Sequence, residues 1–177
     1  MCILLQFPAL QAIAEWSREQ ILSGQWWRIV TGNFTHTNVT HLCLNLASVW
    51  VICFLFRPSS AMFAGVTSFS AVTIGLGIFV SEIQIYLGLS GILHALFAFL
   101  ALREALQGRQ SSWLLVIGVI GKVALEQIQG APESTAKLIQ ANVAIEAHLI
   151  GAITGLTLAI LLQGYQYYQQ RQYKPYN

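Results

Sequence analysis

The chemistry of this chain gathers at Ser90, in the stretch Gly88-Leu89-Ser90-Gly91-Ile92-Leu93-His94, where a polar loop gives way to an apolar segment. Eight of the nine residues after His94 are apolar, which places Ser90 at the start of a helix. A helix start has unpaired N–H groups and a partial positive charge, so an anion developing there is stabilised. A serine in that position can be a nucleophile and can lend its own N–H to an oxyanion. Gly88 and Gly91 permit positive φ and admit a close backbone, expected here to be a substrate's. The same Gly-x-Ser-Gly pattern also serves small-residue packing between membrane helices. Acyl transfer needs a base and further donors beside the serine. The candidates are His148, and the pair His41 and Asn45 at i and i+4.

The elements that must bring these residues together are membrane helices. Only 9% of the 177 residues are charged and 55% are hydrophobic, with a mean hydropathy of +0.60. Soluble domains carry about 25% charged residues, so the chain reads as one all-α, polytopic membrane bundle. Its net charge of +2 includes no Lys/Arg cluster, which excludes nucleic acid as a partner. Cys43 and Cys53 fall on one helix about 15 Å apart in rise, too far to bridge.

Residues 1–14 are apolar but too short to span ~30 Å of hydrocarbon, and Pro8 interrupts them. They read as part of a first span, clipped at the chosen start. Residues 15–36 read as an amphiphilic loop whose Trp16, Trp26 and Trp27 beside charges suit the membrane interface. Five spans follow, at about 37–56, 61–80, 89–106, 112–129 and 140–163, and residues 164–177 form a polar tail. One side of the bundle holds Arg57, Arg103, Arg109, Arg171 and Lys174 against Glu104. The other holds Arg18, Arg28 and Lys137 against Glu15, Glu19, Glu82, Glu126 and Glu133. Lys and Arg concentrate in the cytoplasm, so the first side, with the tail, is expected to face inward.

With that orientation the polar residues fall in one layer. Ser90 lies thirteen residues from Arg103, about 20 Å above the inner end. His148 lies about 22 Å above Gln163, and Asn45 and His41 about 18 and 24 Å above Arg57. Polar groups at that depth are costly and normally face a bundle interior or a water cavity. Each has a packing reading as well: His41 and Asn45 as interhelical hydrogen bonders, and His148 as part of a tight face with Gly151 and Gly155.

His41-Leu-Cys-Leu-Asn45, Gly88-Leu-Ser90-Gly91 and Ala147-His148-Leu-Ile-Gly151 resemble the three signature motifs of rhomboid intramembrane serine proteases. Trp27-Arg28 and His36 resemble that family's first-loop Trp-Arg and the histidine before its His-x-x-x-Asn element. Within the family, Gly88 to His94 and Lys122-Val-Ala-Leu-Glu126-Gln127 are similar to the rhombosortase branch. This chain has His94 where many relatives have tyrosine, and Ala95 where the branch often has glycine. The resemblance implies a six-span core with an incomplete first span and a serine–histidine dyad of Ser90 and His148. It implies that His41, Asn45 and the Ser90 N–H hold the oxyanion, with no cofactor and no metal. A triad is not expected: the chain has no aspartate, and Glu146, two residues from His148, projects away on a helix. His94, one turn after Ser90, either packs against His148 to fix its ring or serves helix packing. Glu126 pairs with Lys122 at i and i+4 and is expected to add a role at the site, in gating or substrate contact.

Aspartyl intramembrane proteases need two aspartates and the zinc type needs His-Glu-x-x-His; neither occurs. The alternatives are a non-catalytic rhomboid-like binder, or an ion or metal carrier using the four histidines with Glu146 and Cys43. The charge split places the site open to the extracytoplasmic side, and the branch resemblance further implies a bacterial inner membrane and single-span proteins with a glycine-rich C-terminal anchor as substrates.

Overall fold

The computed structural model describes residues 1–172 and is an all-α bundle. After a 3₁₀ turn, helix α1 spans Pro8–Ala14, with Pro8 at its first turn where a missing N–H costs nothing. Strand β1 is Trp16–Ser17, and α2 (Arg18–Leu22) and α3 (Arg28–Thr31) follow. The long helices begin with α4 (Val39–Phe56), capped by the Asn38 side chain on the His41 N–H, and α5 (Ser60–Gly77), capped by Ser59. Strand β2 (Ile85–Tyr86) precedes α6 (Ser90–Leu106). Helices α7 (Ser112–Gln129), α8 (Glu133–Ile139) and α9 (Ile145–Gln172) complete the order.

Four segments, Val39–Phe56, Ser60–Val80, Ser112–Gln129 and Ile145–Gln172, are long and apolar enough to cross a bilayer. Helix α6 is one residue shorter and is the hub: eleven of its 17 residues are buried, and it contacts α4, α5, α7 and α9. At 17 residues it rises about 26 Å, less than the ~30 Å hydrocarbon core. On the outside of the bundle Trp50, Phe54, Leu114, Ile117, Ile160 and Leu161 are exposed, the surface expected against lipid.

The closest seam joins α6 to α9. A Cβ at Gly151 would collide with the Gly91 carbonyl, and one at Gly155 with the Ala95 carbonyl. Gly91 in turn has no room for a side chain against Ala147, whose carbonyl would lie 2.9 Å from its Cβ. The Gly151-x-x-x-Gly155 pattern is thus a packing face set against Gly91-x-x-x-Ala95. This corrects the expectation for Gly91, whose open side receives α9 and not a substrate.

Two spans differ from the sequence reading. The 15–36 loop is folded as α2, α3 and 3₁₀ turns, because its polar atoms find backbone partners. Trp16 Nε1 donates to the Gly75 carbonyl at 2.8 Å, and Arg28 donates to the Glu15 and Ala12 carbonyls at 2.8 and 2.9 Å. Strand β1 pairs antiparallel with β2, Trp16 opposite Tyr86, and fastens this loop to the segment leading into Ser90. The sixth span starts at Ile145 rather than 140, because Gln140 turns left-handed (φ 54°) and ends α8. Helix α9 also runs on to Gln172, since nothing before Pro175 breaks it. Gln169 and Gln172 donate to the hydroxyls of Tyr165 and Tyr168 one turn back. The rest of the expected polar tail, 173–177, lies outside the described residues.

Candidate active site

The seam between α6 and α9 sets Ser90 against His148, with Ser90 Oγ 2.9 Å from His148 Nε2. His148 is buried at 4% exposure, so water competes little for this hydrogen bond. The two residues line one small cavity of about 100 Å³ together with His41, Asn45, Thr135 and Ile139. This is well below the ~300–1,000 Å³ of a typical small-molecule pocket. Helix α8 lines one side of it through Thr135 and Ile139. Thr37 Oγ1 donates to the Ile139 carbonyl at 2.6 Å and Asn38 Nδ2 to the Leu138 carbonyl at 3.2 Å, tying α8 to the start of α4.

Asn45 is 5% exposed, and its Nδ2 is buried without a hydrogen-bond partner. Buried donors are nearly always paired; this residue lines the cavity that Ser90 also lines, where an oxygen could pair its amide. No side chain caps the N-terminus of α6, which leaves the Ser90 end of the helix as the second donor. His41 differs from expectation. Its Nδ1 lies 3.1 Å from Thr37 Oγ1, whose single proton is committed to Ile139. Thr37 therefore accepts from His41 Nδ1–H, and a neutral His41 presents Nε2 as an acceptor. It can donate to an oxyanion only as an imidazolium.

Gly88 has φ +136°, and a Cβ there would stand 2.9 Å from His41 Cε1. The glycine is required by backbone and by the histidine ring, so the space expected for a substrate backbone is filled from within. Tyr86 donates to the Gly88 carbonyl at 2.6 Å, and the Gly88 N–H to the Gly32 carbonyl at 3.3 Å. Burial pushes the Tyr86 phenol far above its ordinary range, so it stays a donor. His36, fully buried, meets the His41 ring edge-on at 5.0 Å and buttresses it from behind.

His94 stacks on His148 with centroids 4.1 Å apart and ring planes within 20°. Its Nδ1 lies 2.7 Å from the Ser90 carbonyl and its Nε2 3.1 Å from Lys122 Nζ. Glu126 departs most from the sequence reading. Its Oε2 is 2.9 Å from His148 Nδ1 and its Oε1 is 2.6 Å from Lys122 Nζ. An acidic partner for His148 thus exists, contrary to the expectation that none is available. It comes from α7, 22 residues away, so no spacing around His148 could reveal it. Glu146 makes no hydrogen bond to His148.

Donor atoms of His94, Glu126 and His148 lie within 4.8 Å of one another, the one such cluster among the described residues. A metal needs lone pairs that converge in the ring planes. Stacked rings point theirs nearly parallel, and the Lys122 ammonium already occupies the space beside the carboxylate. The cluster suits a hydrogen-bond network better than an ion.

The rhomboid domain family matches residues 23–165 of this chain. A protein of Bacillus subtilis (strain 168), named "Putative rhomboid protease YdcA", is 29% identical over 153 residues, covering 80% of this chain and 69% of that protein. Every residue of the cavity described above lies inside the matched region, the apolar helices mark an integral membrane protein, and the chain belongs to the rhomboid family.

Proposed function

We infer that this chain is an intramembrane serine endopeptidase in which Ser90 is the nucleophile and His148 the general base and acid. The observation that carries this reading is the 2.9 Å contact of Ser90 Oγ with a buried His148, beside the unpaired Asn45 amide. Ser90 Oγ attacks the scissile carbonyl while its proton passes to His148 Nε2. The carbonyl electron pair moves to oxygen, where Asn45 and the Ser90 N–H receive it. Collapse breaks the C–N bond, His148 gives its proton to the leaving amine, and water repeats the sequence to release the acyl group.

The substrate class is a single-span, membrane-anchored protein cut at or just outside its membrane boundary, on the extracytoplasmic side. An intact transmembrane helix hides its carbonyls in hydrogen bonds, so the scissile segment must unwind first. Glycine costs about 1 kcal/mol per residue in a helix relative to alanine, and a glycine pair lowers that barrier. The likeness of Gly88 to His94, and of Lys122 to Gln127, to the rhombosortase branch favours a glycine-rich C-terminal anchor with a basic tail. An apolar cleft of about 490 Å³ between α4 and α7, floored by Leu93, His94 and Phe97, gives such a helix a lateral approach.

The test is fluorophosphonate labelling and cleavage of a single-span substrate by the purified protein in liposomes, with the new C-terminus mapped by mass spectrometry. Ser90→Ala and His148→Ala are expected to abolish both while keeping the wild-type unfolding temperature. Cleavage retained by Ser90→Ala would overturn the reading. Replacing the substrate's glycine pair by leucines should slow cleavage strongly, and unchanged cleavage would remove the unwinding argument. A periplasmically active alkaline phosphatase fused after Gln172 would reverse the orientation.

A further inference from the structure

We propose that Glu126 completes a Ser90–His148–Glu126 triad, locked by Lys122 and His94 into a closed ring of hydrogen bonds. This rests on the serine protease reading above and extends it. The ring runs from Ser90 Oγ to His148 Nε2 (2.9 Å), from His148 Nδ1 to Glu126 Oε2 (2.9 Å) and from Glu126 Oε1 to Lys122 Nζ (2.6 Å). It returns from Lys122 Nζ to His94 Nε2 (3.1 Å) and from His94 Nδ1 to the Ser90 carbonyl (2.7 Å).

Donor chemistry allows this ring one polarity. The Ser90 carbonyl only accepts, so His94 carries its proton on Nδ1 and its Nε2 accepts from the Lys122 ammonium. The carboxylate of Glu126 only accepts, so it takes one proton from Lys122 and one from His148 Nδ1–H. His148 Nε2 is then left with its lone pair facing the Ser90 hydroxyl, the tautomer a general base requires. His94, stacked at 4.1 Å, covers one face of the His148 ring and opposes its rotation. The carboxylate is 8% exposed and the His148 side chain 5%, so this is not a solvated helix-surface pair. A lysine near the membrane-facing cleft would be expensive there without two such partners.

In the reaction Glu126 neither gains nor loses a proton. As Ser90 Oγ–H breaks and Nε2–H forms, the imidazolium is stabilised by the ionised carboxylate on Nδ1–H, and the relation reverses when Nε2 protonates the leaving amine. Glu126 acts through His148 and is a positioning residue; Lys122 and His94 hold it and the ring in place.

The groups facing His148 are Ser90 and His94 on α6, Lys122 and Glu126 on α7, and His41 on α4. Helix α5 brings no ionisable side chain. Glu133 and Lys137 on α8 pair with each other on the surface, and Glu146 on α9 itself makes no bond to the ring. Removing the carboxylate should disfavour the imidazolium, and removing the ammonium should favour it.

The experiment is the pH dependence of Ser90 labelling by a fluorophosphonate, with the full chain in liposomes. Glu126→Gln should slow labelling at neutral pH by about 10²–10⁴ and move the midpoint to lower pH. Lys122→Met should move it to higher pH, and Glu126→Asp should recover most of the lost rate. A purely structural role would not produce midpoints of opposite sign. If Glu126→Gln labels at the wild-type rate with the wild-type midpoint, the triad is wrong while the Ser90–His148 reading stands. If Glu126→Gln lacks a thermal unfolding transition, the wild-type protein decides: a far-downfield Nδ1 proton resonance that His148→Ala removes supports the triad, and its absence overturns it.

Discussion

A buried polar atom left without a partner costs about 1–3 kcal/mol, and Asn45 Nδ2 is such an atom. It lies in the cavity that Ser90 and His148 line, where the oxyanion of the proposed reaction would pair it. Asn45→Ala is therefore expected to separate activity from stability. Cleavage should fall by about 10²–10³, while the unfolding temperature in detergent stays level or rises. A parallel loss of stability and activity would mark Asn45 as a helix-packing residue instead. His41 sits beside it with a different assignment, because its Nδ1–H donates to Thr37 and the neutral ring cannot also donate from Nε2.

At the scale of helices, the position of Ser90 against His148 is set by how closely α6 and α9 approach, and that closeness is set by absent side chains. Gly151→Val should push its methyls into the Gly91 carbonyl, part the seam and cost stability as well as activity. Thermal unfolding and fluorophosphonate labelling check both; a variant that labels and unfolds like wild type would show that the seam has slack. The α8 wall of the cavity is a second element-level device. Asn38 both caps α4, through the His41 N–H at 2.8 Å, and reaches across to the Leu138 carbonyl. Serine caps a helix as well as asparagine but is too short to make that reach. Asn38→Ser is expected to leave the fold intact and speed fluorophosphonate labelling several-fold, read as an initial rate. Slower labelling would mean that α8 orders the site and does not merely line it.

For the molecule as a whole, the first loop works as a foundation. It is pinned to α5 through Trp16 and Gly75, to α1 through Arg28, and to the Gly88 turn through Gly32. His36 is the titratable group buried in that foundation. Burial first, and then the neighbouring His41 ring, holds its imidazole down to about 4. Between pH 6.5 and about 4 the unfolded chain takes up a proton at His36 that the folded chain refuses, so stability falls as pH falls through this window. The slope is at most about 1.4 kcal/mol per pH unit from this residue. Unfolding in detergent at pH 7 and pH 5 should show the loss, and His36→Asn should narrow the difference; an equal difference in both proteins would place the pH dependence elsewhere.

The composition and the periodic apolar runs determined, without coordinates, that this is a helical membrane bundle, and α4, α5, α6 and α7 lie within a few residues of the expected spans. Helix rise and the motif resemblance together singled out Ser90, His148, His41 and Asn45 in the sequence, and the fold brings the four to one cavity. The features missed are those that depend on rotation about a helix axis and on which helices are neighbours, and depth carries neither. Glu126 shows this best: its chain position places it in a span, but only the packing of α7 against α9 turns its carboxylate to His148 Nδ1. Gly88 and Gly91 show it from the other side, since their missing side chains admit a substrate or a neighbouring helix equally well in sequence. Their space belongs to His41 and Ala147, because tertiary packing fills a gap with the nearest atoms the fold brings to it.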